Sequence, residues 1–206
     1  MATELELKLA CLESPDQTLL KLETCLKNLG IDSSFAFKRL GNIYFDTPDY
    51  ALNQSKVAFR IRTVEKGEGA RYIQTLKTKG ESIDGMHRRN EWEWDIEQPE
   101  IDARLLSVCE GWPSHLDISS LGALFETNFK RHMLVFEFEG AKLELAYDVG
   151  EVKAGELSQS INEIEIELVS GEASAVKMLG GKLSEVIKLA PSDLSKAQRG
   201  LSLIHI

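Results

Sequence analysis

Apolar and polar side chains alternate one for one over the first nine residues, where Thr3, Leu5, Leu7 and Leu9 stand against Glu4, Glu6 and Lys8. Successive side chains of a strand point to opposite faces. The pattern therefore predicts a strand with one apolar face and one face bearing two carboxylates and an ammonium. The same period returns along the chain. Leu40 to Asp46 sets Ile43 and Phe45 against Asn42, Tyr44 and Asp46, and Val57 to Val64 places Arg60 and Arg62 opposite Phe59 and Ile61. Arg71 to Lys79 brings Lys77 and Lys79 to one face, and His87 to Glu97 sets Arg89, Glu91, Glu93 and Asp95 against Trp92 and Trp94. From Arg131 the alternation resumes with Leu134, Phe136 and Phe138 opposite Met133, Val135 and Glu137. Leu143 to Asp148 carries Glu144 and Asp148 together, and Asn162 to Val169 sets Glu163, Glu165 and Glu167 against Ile164, Ile166 and Leu168.

Helical spacing appears in three places. Ser14-Pro15 reads as a cap with proline in the first turn, followed by Leu19, Leu22, Leu26 and Leu29 and stopped by Gly30. Val176, Leu179, Leu183 and Val186 form a second such stripe, and a short helix after Ser192 carries Lys196 and Arg199. Between residues 99 and 128 the period of two is lost; Leu105, Leu106 and Cys109 suggest one short helix and Ser120 to Phe125 another. Gly67 and Gly69 mark a hairpin, Gly80 to Gly85 a turn, and Gly150 to Gly155 a loop. The tally is about eight strands joined mostly by short turns. Antiparallel strands in this number tend to close, because closure removes exposed edges, and a ring of about eight can enclose a cavity.

An ordinary barrel turns its apolar face inward and its charges to water. Three features favour the inverse here: the apolar faces are large, the helices need something apolar to cover, and the charges are sorted by sign along each strand. Leu5, Leu7, Ile164 and Ile166 are then expected to pack outward beneath helices, with the glutamates facing a wet lumen. Rows of like charge repel unless neutralised. A divalent cation suits the acids and a polyanion suits the bases.

Composition narrows the chemistry. A formal charge of −9 over 206 residues argues against general nucleic-acid binding, though local basic clusters can still hold a small anion. Cys11, Cys25 and Cys109 are odd in number, widely spaced and without a Cys-x-x-Cys pair, as suits core thiols in a reducing cytoplasm. No basic-then-apolar leader opens the chain, and no apolar run approaches the ~18 residues of a membrane span. Gly180-Gly181-Lys182 is followed by Leu183 and so makes no phosphate-binding Walker loop. His87, His115, His132 and His205 show no metal spacing, and the Asn53-Gln54-Ser55 sequon has no meaning without secretion. What remains is a carboxylate set suited to Mg²⁺ or Mn²⁺ (Glu4, Glu6, Glu163, Glu165, Glu167) beside bases that could hold a short polyphosphate (Lys8, Arg60, Arg62, Lys77, Arg89). Together they suggest phosphoryl transfer.

Glu4-x-Glu6-x-Lys8, Tyr44-Phe45-Asp46-Thr47-Pro48, Phe59-Arg60-Ile61-Arg62, Lys77, Arg89-x-Glu91-x-Glu93, Arg131, Asp148 and Glu163-Ile164-Glu165-Ile166-Glu167 resemble, in order, the motifs of the CYTH superfamily, or triphosphate tunnel metalloenzymes. Leu40-Gly41-Asn42-Ile43-Tyr44, the 150–156 stretch with Lys153, and Leu194-Ser195-Lys196-Ala197-x-Arg199-Gly200 look most like its bacterial inorganic triphosphatase branch. The resemblance implies a mainly β fold, a closed eight-stranded antiparallel tunnel with flanking helices, occupying 1–206 as a single domain. The helical CHAD domain that often follows in bacterial members is absent from this chain. It further implies Mg²⁺ or Mn²⁺ on Glu4, Glu6, Asp148, Glu163, Glu165 and Glu167, and a triphosphate on Lys8, Arg60, Arg62, Lys77, Arg89, Arg131, Lys153 and Lys196. Glu91 and Glu93 would line the tunnel, with Lys8, Glu4 and Glu6 as catalytic candidates. The expected reaction is hydrolysis of inorganic triphosphate to diphosphate and phosphate. Cyclisation of ATP, hydrolysis of thiamine triphosphate and non-catalytic polyphosphate binding stay open as alternatives.

Overall fold

The structure is a computed structural model that describes residues 2–66, 69–78 and 80–204; Gly67 of the expected hairpin, Lys79 and His205 lie outside them. In chain order the elements are β1 (Ala2–Cys11), α1 (Pro15–Asn28), β2 (Ala36–Asp46), α2 (Ala51–Gln54), β3 (Ala58–Lys66), β4 (Gly69–Lys77), β5 (Glu81–Ile83), β6 (Met86–Ile96), α3 (Ala103–Ser107), a 3₁₀ turn (Ile118–Ser120), β7 (Gly122–Phe138), β8 (Ala141–Ala154), β9 (Leu157–Ser170), α4 (Ser174–Ser184), β10 (Leu189–Pro191) and α5 (Lys196–Ile204).

Antiparallel pairing runs β1-β9-β8-β7-β2-β3-β4-β6, and β6 returns to β1 to close an eight-stranded ring; β5 and β10 are short additions. Alternation then decides the rest, because every second residue must face the enclosed space. Leu7, Leu9, Leu143, Leu145, Ile164 and Ile166 point outward, into a core shared with Leu22 and Leu26 of α1 and Val176, Leu179 and Leu183 of α4. Burying each such leucine is worth roughly 1.5–3 kcal/mol. The barrel is inverted as the charge sorting implied, although Leu5 lies outside that core and is only partly covered. Helix α4 sits so close to β1 that a β-carbon at Gly180 would collide with the side chain of Leu7. On the opposite wall, Phe59 and Leu76 pack outward against Leu52 of α2 and Leu106 of α3.

A third apolar cluster lies inside the ring. Lumen-facing Leu40, Tyr44, Phe125, Phe129, Val152 and Ile161 pack against Ala197, Leu201 and Ile204 of α5. The helix thus covers one end of the barrel with its apolar face. A reciprocal capping box fixes its start: Ser195 N donates to Gln198 Oε1 (2.8 Å), and Gln198 N donates to Ser195 Oγ (3.2 Å).

The structure corrects three readings of the sequence and adds one strand. Ser120 to Phe125 is not a helix: β7 begins at Gly122, well before Arg131, because Phe125, Thr127 and Phe129 continue the lumen face in register with β2. Gly150 to Gly155 is not a loop. β8 runs through to Ala154, and Gly150 is needed because a β-carbon there would meet the main chain of β7. The turn after residue 80 contains β5, and the approach to α5 contains β10. Both are too short to show a period.

Candidate functional site: a charged cavity inside the barrel

Lumen-facing positions surround a cavity of about 580 Å³ lined by seven acidic and seven basic side chains. β1 contributes Glu4, Glu6 and Lys8, β3 Arg60 and Arg62, β4 Lys77, and β6 Arg89, Glu91 and Glu93. β7 supplies Arg131, β8 Glu144, β9 Glu165 and Glu167, and α5 Lys196. Glu163 and Asp148 are buried in the wall beside Lys196, with 3% and 0% side-chain exposure. Lys153 does not join them: it is exposed, on the outward parity of β8 with Leu145 and Tyr147. An odd-numbered residue of that strand cannot share a face with Glu144 and Asp148.

At the end covered by α5 the charges cancel. Lys196 Nζ donates to Asp148 Oδ2 (2.7 Å), Glu165 Oε1 (3.0 Å) and Glu163 Oε1. Arg131 grips both Asp148 oxygens at 2.7 Å and Glu165 Oε2 at 2.6 Å, and Lys8 Nζ lies 3.1 Å from Glu165 Oε1. Burial disfavours the charged forms of Lys8, Lys196, Arg131, Asp148 and Glu165, but their partners outweigh it. Lys8, Lys196 and Arg131 are held above their ordinary pKa, while Asp148 and Glu165 are held below theirs. Asp148, Glu163 and Glu165 offer oxygens within 4.8 Å of one another, as a metal site would. Here that position belongs to an ammonium.

Farther along the lumen the pairing is looser. Lys77 Nζ reaches Glu4 (2.8 Å) and Glu91 (3.0 Å), and Arg89 reaches Glu6 (3.0 Å) and Glu4 (3.5 Å). Arg60 lies 3.8 Å from Glu91 and donates to the Tyr44 hydroxyl at 3.4 Å. Its Nε and Glu91 Oε1 are buried without hydrogen-bond partners.

Two places carry charge that is not fully compensated. Glu6, Glu167 and Glu144 are directly opposite one another on β1, β9 and β8. Directly opposed side chains in a sheet stand ~4.5–5.5 Å apart at Cβ, and like charges there repel. Neither Glu144 nor Glu167 forms an ion pair among the described residues, and burial, then Glu4, Glu144 and Glu6, push the Glu167 carboxyl up to about 7. The second place is Arg62. Its Nε donates to Asn42 Oδ1 (2.9 Å), and Asn42 in turn donates to Thr127 Oγ1 (3.0 Å). Among the described residues it alone of the seven lumen cations has no carboxylate within ion-pair distance. Burial, then Arg60 and Arg131, lower it to about 10.

Sequence reading passed over Glu144 and Tyr44 as site residues, although Glu144 was in phase with Asp148 and Tyr44 with Asn42. Asp46, part of the same motif as Tyr44, serves the fold: its carboxylate accepts from the N–H groups of Thr47, Leu52 and Asn53. No helix among the described residues is long and apolar enough to cross a membrane.

Comparison with known proteins places this geometry. Residues 2–201 match the CYTH domain. The inorganic triphosphatase of Haemophilus influenzae is 35% identical over 207 aligned residues, which are 98% of this chain and 55% of that protein. The chain thus spans about half the length of this curated relative. The Hippeastrum protein HpAC1, which has a dominant triphosphatase activity, superposes with a TM-score of 0.65 at 25% identity, covering 97% of this chain and 95% of that one. Pyrococcus horikoshii PH1819 shares the fold, with a TM-score of 0.61, 20% identity, and coverage of 96% and 98%. With its family match spanning nearly every residue and its charges turned inward around a closed eight-stranded ring, the chain belongs to the CYTH domain family.

Proposed function

We propose that this chain hydrolyses inorganic triphosphate to diphosphate and phosphate with a divalent cation. One observation carries the reading: a row of three carboxylates, two of them without an ion pair among the described residues, and a guanidinium without one face the same enclosed space, so these charges call for a cation and a polyanion together. The names of the Haemophilus and Hippeastrum relatives support the same class of substrate.

Glu6, Glu144 and Glu167, with Glu4 beside them, present only hard oxygen donors, as Mg²⁺ and Mn²⁺ prefer. When bound there, such an ion supplies Lewis-acid neutralisation of phosphate charge. The chain's own part is positioning. Arg62, free of carboxylates, anchors phosphate bidentately. Arg60 offers its unpartnered Nε, and Lys77, Arg89, Arg131, Lys8 and Lys196 can exchange a carboxylate for a phosphoryl oxygen. Lys8 and Lys196, held as ammoniums by their carboxylates, act by charge on the transferring group and not as bases. The water that attacks the terminal phosphorus then needs only alignment.

The lining also disfavours a nucleobase. Tyr44 stacks on Phe125 at 4.6 Å, and the Phe129 ring lies under Lys196 (4.9 Å) and Arg131 (5.7 Å). Each of these rings therefore already has a stacking or cationic partner. Three buried free cysteines suit a reducing cytoplasm, where we place the reaction. The test is a phosphate-release screen of triphosphate, ATP and thiamine triphosphate with Mg²⁺ and with Mn²⁺, assaying cyclic AMP alongside. We expect no cyclic AMP and a kcat/KM for triphosphate more than about tenfold above that for ATP, a gap worth one charge-assisted hydrogen bond. Equal use of ATP, or cyclic AMP formed at a comparable rate, would reject this substrate assignment.

A further inference from the structure

Two lysines share the same oxygens in the covered end of the lumen. Lys8 Nζ and Lys196 Nζ lie 3.1 Å and 3.0 Å from one atom, Glu165 Oε1, and both also approach Glu163 Oε1. They come from opposite ends of the chain, so something must set their spacing. The main chain around Lys8 shows what does. On this edge β1 changes partner: Leu7 is the last residue to face β6, opposite Met86, and Leu9 is the first to face β10, opposite Pro191. Lys8 lies between the two pairings. Its N–H donates to Gly85 O (2.7 Å), and its carbonyl accepts from Ser192 N (3.0 Å).

The strap formed by β10 and residues 192–195 is fastened at this junction by side chains outside the cavity. Asp193 Oδ1 accepts from Gly85 N (2.9 Å) and from Ser82 Oγ (2.7 Å), tying the β5–β6 turn to the strap. Buried His87 donates from Nε2 to Ser192 O at 2.9 Å. Gly85 itself has φ +80°, and a β-carbon there would collide with Lys8 O, so the turn is fitted closely over Lys8. Three residues beyond Asp193 the strap becomes α5 with Lys196.

We propose that Asp193, assisted by His87, is a positioning residue: it locks the strap to the Lys8 junction and so fixes the separation of the Lys8 and Lys196 ammoniums across Glu163 and Glu165. The consequence for turnover rests on the triphosphatase reading, but the positioning claim does not. Neither residue lines the cavity; Asp193 acts through the two lysines, while His87, which stands directly opposite Glu6 on β1, assists by holding Ser192.

The decisive comparison is Asp193→Ala with Asp193→Asn, because the amide oxygen of Asn can still accept both hydrogen bonds. Three quantities are read: lysine ε-methylene NMR shifts of Lys8 and Lys196, triphosphate affinity by calorimetry without metal, and kcat and KM with Mg²⁺. D193A is expected to move both lysine signals, to weaken triphosphate binding about tenfold, as misplacing one charge-assisted hydrogen bond to phosphate would, and to lower kcat more than it raises KM. D193N should restore all three to within about threefold of the parent, a range smaller than one such bond provides. Should D193A unfold at the assay temperature, Ser82→Ala removes one of the two bonds to the same oxygen and is read in the same way. Unmoved lysine signals in D193A or S82A, or failure of D193N to restore them, overturns the proposal. If the parent shows no hydrolysis, the triphosphatase reading falls, and the lysine signals still decide the positioning claim.

Discussion

Two acidic clusters lie in the same lumen and differ in what faces them. Asp148, Glu163 and Glu165 form the tighter group, yet Lys196, Arg131 and Lys8 already supply their positive charge. Glu6, Glu144 and Glu167 stand in one row across three strands; Glu6 alone of the three has cations beside it, Arg89 at 3.0 Å and Lys8 at 3.8 Å. Carboxylate proximity therefore does not mark the cation site. What marks it is missing compensation, since buried like charges are tolerable only when something else neutralises them.

Removing the ammonium from the compensated cluster should have the largest effect. Lys196→Met leaves three buried carboxylates with one partner fewer, and unpairing a buried charge costs about 3–5 kcal/mol; retained Arg131, Lys8 and Arg199, the last 3.1 Å from Glu163, set the expectation at the lower end. Urea denaturation measures the loss. If the contrast between the clusters holds, Mn²⁺ will raise the melting temperature of K196M more than that of the parent, because the vacated triad becomes a second cation site. Equal stability of the two proteins would mean that the ammonium does not hold this end together.

Arg62 is the basic counterpart of the bare acidic row. Arg62→Ala is expected to weaken triphosphate binding by about 1.5–3 kcal/mol, one to two powers of ten, since it removes a charge-assisted hydrogen bond to phosphate. Its stability should change little, because the side chain gives up only neutral Asn42. Calorimetric titration decides; unchanged affinity would remove Arg62 from the anion site.

A smaller effect of opposite sign is expected at Glu167. Glu167→Gln relieves repulsion from its neighbours and should stabilise the metal-free protein by roughly 0.2–1 kcal/mol, the range for directly opposed pairs. It should also diminish stabilisation by Mg²⁺. A variant less stable than the parent without metal would show that the row is compensated after all.

The two clusters should also part in their pH dependence. Glu167 has its folded pKa raised from 4.5 to about 7, so the folded state binds more protons than the unfolded one across that window. Its contribution to stability falls as pH rises from about 4.5 to about 7. Asp148 and Glu165 are shifted downward, so their contribution is present above the ordinary carboxylate range and is lost as pH falls through their folded values. Metal-free melting temperatures should thus peak in mildly acid solution and decline toward neutrality. Saturating Mg²⁺ should flatten the decline on the neutral side alone.

Much of this was legible in the chain because alternation leaves no freedom. Once Leu7 and Ile166 must meet helices, Glu6, Lys8, Glu165 and Glu167 have to face the lumen, whatever the register. The same rule, applied past Asp148, would have turned Lys153 outward, but the glycines of the 150–155 stretch read as a loop and hid the continuing strand. Ser120 to Phe125 failed for a related reason: its polar and apolar residues show no clear period until β2 is laid beside them. Which charges meet was beyond the sequence altogether. Glu144 stands against Glu167, and Lys196 against Asp148, through strand register and the seating of α5, both set by contacts between residues far apart in the chain. The sequence by itself determined that the charged faces would be enclosed, because side-chain period is a local property of the strand. Only the tertiary structure decided which of those charges cancel and which are left bare, because electrostatic compensation depends on distances of a few ångströms between segments that the chain order does not bring together.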